Sequence, residues 1–180
     1  MVNRIVDEIY KCIENECFIA ALALALTLPD TCGKAEYPNA RNKERYIMWF
    51  DEYIGKYEKS PRKPKQDPEP EIPFLSGEIV YQLRCCLLHQ STPGIEIDRI
   101  KEECCKVDHF LLTIDDISHG VSTQLFQWEH FEPERTMKVN IVNLCIRLAR
   151  TAKSYYDEFP AKFDFIKYML YDKRHMQDKQ

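Results

Sequence analysis

Residues 18–28 read FIAALALALTL. The segment is rich in Ala and Leu, poor in β-branched residues and free of charge, so it favours a helix over a strand. Being apolar all round, it predicts a helix buried on every side, the central member of a bundle. Pro29 then predicts the bend or end of that helix, with Asp30, Thr31 and Gly33 as the turn that follows. The apolar run stops well short of the roughly 20 residues that a bilayer span needs, so no membrane contact is expected.

Working outward, the flanking segments repeat the helical period. Val2, Ile5, Val6, Ile9 and Ile13 recur at i, i+3, i+4 and i+7, which predicts an amphipathic helix from Val2 to about Ile13. Asn42 to Tyr57 places Tyr46, Trp49, Phe50, Tyr53, Ile54 and Tyr57 on one face, and rings at that spacing belong to a core more often than to a stacking platform. Ser76 caps a helix running to about Gln90. Thr136 to Tyr156 carries Met137, Ile141, Leu144, Cys145, Leu148, Ala152 and Tyr155 at helical spacing, and Pro160 opens a last short helix from Ala161 to about Asp172. The expected fold is mainly α, an antiparallel helical bundle forming a single domain over 1–180. Two stretches interrupt it. Residues 59–73 hold five prolines among alternating charges and read as an exposed loop. Residues 95–130 contain the alternating Phe110, Leu112 and Ile114, then DDISHG, then Leu125 with Phe126 and Trp128, which predicts a small β-hairpin insertion.

Composition narrows the function. With 25 Lys and Arg against 29 Asp and Glu, the net charge of −4 excludes a whole-surface basic footprint, so any RNA contact must come from a local patch. Basic residues gather in two places, Lys56 to Lys65 and Arg147, Arg150 and Lys153, but interspersed acids make both read as solvated surface. Asp7 and Glu8 stand where a secretory signal would be apolar, so a cytoplasmic location and thiol cysteines are expected. Cys12, Cys17, Cys32 and Cys145 read as core fillers. Cys86, His89, Cys105 and His109 have ligand types suited to zinc. The doublets Cys85-Cys86 and Cys104-Cys105 lack knuckle spacing, however, and Cys86 falls on an apolar face, so no metal and no cofactor are predicted. No phosphate-loop lysine, dinucleotide glycine fingerprint, HExxH or GxSxG is present.

The chemistry concentrates in residues 76–90, SGEIVYQLRCCLLHQ. At about 100° per residue, Ile79, Val80, Leu83, Cys86 and Leu87 form a core-facing stripe. A narrower stripe of Tyr81, Cys85 and Leu88 lies opposite, with Arg84 at one edge and His89 at the other, about 140° apart on an ideal helix. A partner helix laid on this stripe would bury Leu88 and Tyr81. In an antiparallel homodimer Arg84 of one chain then approaches His89 of the other. The two side chains suffice for RNA cleavage without metal. Imidazole takes the 2′-OH proton near neutral pH, and a guanidinium that stays charged steadies the phosphorane oxygens. An Arg followed by a His at this spacing arises about once by chance in a chain with ten Arg and five His, so the surroundings carry the weight.

Those surroundings, a buried Ala/Leu helix (FIAALALALTLPDTCG), an aromatic helix (RYIMWFDEYI) and then LRCCLLHQ, resemble the HEPN superfamily of small, commonly dimeric helical bundles. The resemblance covers about Val2 to Gln90 and Thr136 to Asp172, and leaves out the hairpin. It implies a metal-independent endoribonuclease of a toxin–antitoxin or phage-defence system, with RNA as substrate. Arg84 and His89, with four residues between them, match the family's hallmark and would be catalytic in a cleft shared by two copies. Tyr81 and Cys85 would line the substrate side, and a partner such as an antitoxin or a nucleotidyltransferase-like protein is implied. Many active HEPN nucleases carry a polar residue, often Asn, directly after the Arg, where this chain has Cys85. That departure raises the alternative of a non-catalytic, HEPN-like nucleotide- or partner-binding module.

Overall fold

The computed structural model describes residues 1–58, 75–90, 107, 109–115, 120–124 and 134–167. The chain is mainly helical with a small sheet. Helix α1 (Val2–Glu14) buries Val2, Val6 and Ile9, the stripe its periodicity predicts, and half-buries Ile5 and Ile13 against the same core. Asn15 closes it by donating to the Lys11 carbonyl at 2.8 Å, and Glu16 takes a left-handed φ of 58° to turn the chain.

Helix α2 (Phe18–Ala25) buries Ala21, Leu22 and Ala25 but leaves Ile19 and Ala20 exposed, so it is not buried on every side as its composition suggested. Composition without periodicity names no outer face, and among the described residues this helix packs chiefly on α1 and α7. Pro29 does not end the helical region. It lies in the first turn of α3 (Leu28–Glu36), where a missing N–H costs nothing, and Asp30, Thr31 and Gly33 are helical. Residues 18–36 are apolar and long enough to cross a bilayer, but half of that window is buried inside the protein.

Helix α4 (Asn42–Phe50) buries Tyr46, Trp49 and Phe50 in the core. A π-turn over Asp51–Gly55 follows and then α5 (Lys56–Glu58). The wider turn rotates what comes after it, so Tyr57, expected on the shared aromatic face, is 75% exposed. Helix α6 (Gly77–Cys85) starts at Ser76, whose Oγ accepts the Ile79 N–H at 3.3 Å as predicted, and runs into a second π-turn, Cys86–Gln90.

The largest departure concerns the sheet. Strands β1 (His109–Thr113), β2 (Gly120–Gln124) and β3 (Glu134–Asn140) lie in the order β1-β3-β2. β1 pairs parallel with β3, and β2 pairs antiparallel with β3. The hairpin is therefore β2–β3, not one contained within 95–130, and Leu125 to Trp128 lie outside the described residues. Thr136–Asn140, expected to open the long helix, is strand. Met137 and Val139 are buried while Thr136 and Lys138 are half-exposed, a period of two. Helix α7 (Ile141–Glu158) begins one residue later, capped by Asn140, whose Oδ1 accepts the Asn143 N–H at 2.9 Å. Lys138 Nζ lies 2.6 Å from Asp115 Oδ2, which ties the end of β1 to β3.

The last helix among the described residues is a 3₁₀ turn, Pro160–Phe163, and 164–167 are not helical, where a helix from Ala161 to about Asp172 was expected. The turn is held to α3 by Glu36, whose Oε2 accepts from both the Tyr155 hydroxyl and the Lys162 ammonium. These two donors hold the Glu36 carboxyl below its ordinary pKa. The adjoining Tyr53 phenol is pushed up to about 12, by burial first and then by nearby carboxylates. The Pro-rich stretch 59–73, Cys104, Cys105 and residues 168–172 lie outside the described residues.

Candidate functional site

Two contacts fix the start of α6. Asp51, at the first π-turn, accepts the Gly77 N–H on Oδ1 at 2.6 Å, a carboxylate on the positive end of the helix. Gly77 itself lies so close to α4 that a Cβ there would stand 2.7 Å from the Ile47 carbonyl oxygen. Further along, Tyr46 and Lys43 reach Tyr81, so α4 and α6 run antiparallel and the end of α6 meets the beginning of α4. Arg84 is in that last turn.

Tyr81 is the centre of the patch. The edge of Tyr46 meets its ring, with centroids 5.3 Å apart and planes at 73°. The Arg84 guanidinium carbon and the Lys43 ammonium each stand 5.8 Å from its centroid, within cation–π range. Lys43 pairs with Glu78 at 2.6 Å, across 35 residues of sequence. Partial burial raises the Tyr81 phenol pKa, the neighbouring Cys85 thiol raises it further, and the Arg84 charge opposes both. Tyr46 is buried and donates its hydroxyl to the Leu26 carbonyl at 3.2 Å. Burial raises its pKa too, again against the charge of Arg84.

Behind the patch, Asp30 accepts from Arg45 Nε at 3.3 Å and from its terminal nitrogen at 3.0 Å, which locks α3 on α4. Gly33 permits that approach, since a Cβ would stand 2.5 Å from the Arg45 carbonyl oxygen.

The structure thus brings Arg84, Tyr81 and Cys85 together, all half-buried. Tyr81, expected on a face opposite the core, packs against the core through Tyr46 of α4, and the Arg84 Nε is buried. Ile79, Val80, Leu83 and Cys86 are buried, Leu87 is half-buried, and Leu88 is 37% exposed on the outward side. The backbone of His89 falls in the π-turn, and its imidazole lies outside what is described. Because a wider turn rotates each residue by less, His89 stands closer in azimuth to Arg84 than the roughly 140° of an ideal α-helix.

Cys86 is buried on the core side, and among the described residues no three potential ligands are grouped as a metal site. The six described cysteines are thiols. Cys32 and Cys145 fill the core, whereas Cys17, expected there, is exposed at the start of α2. Arg147 pairs with Glu58 and Lys153 with Asp157, so these cations are engaged on the surface.

Sequence reasoning missed Lys43 and Glu78. Neither has a local signal, because only the antiparallel packing of α4 on α6 brings them to Tyr81. No protein-family model matches this chain, and no curated protein or solved structure matches it either.

Proposed function

We propose that this chain is a metal-independent endoribonuclease of HEPN type that acts as a homodimer in a toxin–antitoxin or phage-defence system. The observation that carries the reading is Arg84, held on the Tyr81 ring in the last turn of α6, five residues before His89 and four before the exposed Leu88. His89 takes the proton from a ribose 2′-OH, and the 2′-oxygen attacks the adjacent phosphorus. Arg84 neutralises the charge on the phosphorane oxygens. The P–O5′ bond breaks, and the second copy's imidazolium returns a proton to the leaving oxygen. The products are a 2′,3′-cyclic phosphate and a 5′-OH.

The test is cleavage of a mixed-sequence RNA in EDTA. Cyclic-phosphate ends are expected, and Arg84→Ala and His89→Ala should each abolish them while the circular dichroism stays unchanged. Cleavage that needs added metal, or that survives either substitution, overturns the proposal. A second reading, a non-catalytic module that binds nucleotides or a partner protein, is favoured by one contact. Cys85, which stands where active HEPN nucleases often carry Asn, lies beside the Tyr81 phenol and raises its pKa. That reading expects RNA or nucleotide binding dependent on Arg84 with no cleavage at all.

A further inference from the structure

We infer that Lys43 is a second phosphate-binding group of this site, held beside Arg84 by the ring of Tyr81, so that the patch takes neighbouring phosphates of one single-stranded RNA. The inference rests on the RNA reading above and adds a residue to it. Lys43 sits in the first turn of α4, the positive end of the helix, where a cation weakens the helix rather than supporting it. Its position is explained by what it faces. The ammonium is 2.6 Å from Glu78 and 5.8 Å from the Tyr81 centroid, the same distance at which Arg84 approaches that ring. Its side chain is 36% exposed. An ammonium has three donors and no acceptor, and it serves a carboxylate and a phosphate together. Two cations each 5.8 Å from one ring centroid lie at most about twice that distance apart, within reach of successive phosphates of one strand. Tyr81 acts as a positioning residue for both cations. Glu78 holds Lys43 in place and also repels an arriving phosphate, so it moderates affinity.

The probe is a short fluorescein-labelled oligouridylate with 2′-O-methyl sugars, which lacks the nucleophile and cannot be cut. Its binding to the full chain is followed by fluorescence anisotropy over a series of KCl concentrations. Lys43→Gln should weaken binding and flatten the plot of log K against log salt by about 0.7, the contribution of one phosphate contact in a single strand. Lys43→Arg should retain the slope, and Glu78→Gln should tighten binding. Wild-type affinity and slope in Lys43→Gln overturn the inference, as does a wild-type protein that does not bind the probe. Equal weakening by Lys43→Gln and Glu78→Gln, with equal loss of thermal stability, also overturns it, because that pattern marks a purely structural ion pair. The outcome is independent of cleavage. A protein that never cuts RNA yet shows the Lys43-dependent slope loses the nuclease reading and keeps this one.

Discussion

Replacing Gly77 by Ala tests the geometry on which the site depends. The new Cβ would stand 2.7 Å from the Ile47 carbonyl oxygen, 2.9 Å from Ile47 Cα and 3.1 Å from Asp51 Oδ1. Two of these atoms are backbone of a packed helix, so no side chain can swing aside. α6 must retreat by roughly 0.7 Å to restore ordinary contact with the Ile47 oxygen. Overpacking of this kind costs about 1–3 kcal/mol. The retreat also lengthens the Asp51–Gly77 bond, and a hydrogen bond to a charged group is worth about 1.5–3 kcal/mol when lost outright. Against this, exchanging Gly for Ala returns at most about 1 kcal/mol from helix propensity and the stiffer unfolded chain. The net expectation is a loss of about 2 kcal/mol, or about 4–8 °C in Tm for a chain of this size. Thermal and urea unfolding followed by circular dichroism measure it. Asp51→Ala acts on the same contact, so the double variant should lose less than the two single losses combined. A Gly77→Ala protein as stable as the wild type, or more so, would refute the close approach of α6 to α4.

Three further outcomes follow from other parts of the fold. Glu36 has its carboxyl pKa lowered by Lys162 and Tyr155, so its contribution is fully present above the unfolded value near 4.5 and is lost as pH falls through the lower folded value. Tm measured against pH should therefore drop on the acid side, and Glu36→Gln should flatten that limb; an unchanged limb argues against the latch. Glu16 holds a left-handed φ of 58°, which costs a non-glycine residue about 1–2 kcal/mol, so Glu16→Gly should raise the urea midpoint slightly despite its freer unfolded chain. A fall would mean the turn is shaped by the Glu16 side chain. Titration with an aromatic disulfide reagent should modify exposed Cys17 first and reach Cys32, whose thiol pKa burial pushes far up, only on unfolding. Equal reactivity in the folded protein would contradict the core.

What was legible in the sequence depended on how local the cause is. The stripes of α1 and α7 and the Ser76 cap are properties of neighbouring residues, and they read directly. β3 was misread because Met137 continues the helical spacing of Ile141, Leu144 and Leu148, so one residue satisfied both periods. Asn140 was the available signal, a capping residue just before the last long apolar repeat. The π-turn at Asp51 has no signature in DEYIG, since its companion contact is Gly77, 26 residues away. The core-facing stripe of Ile79, Val80, Leu83 and Cys86 on α6 was readable from periodicity, but the packing of Tyr81 and Arg84 toward α4 was not. Nor were the two neighbours on the Tyr81 ring, Tyr46 and Lys43, because α4 and α6 are far apart in the chain. The Glu36–Lys162 contact spans 126 residues and was equally hidden.

The packing of α1 and α2 against α7 has a consequence for synthesis. Both N-terminal helices rest on residues 141–158, so their shared apolar surface has no permanent cover when it leaves the ribosome. At about 5–20 residues per second, more than a hundred further residues take on the order of 5–25 seconds to follow. For that interval α2 is a sticky, half-finished surface, and nascent chains on one messenger are exposed to one another. The cover that α7 gives to α1 and α2 is complete only when this distal helix has been made.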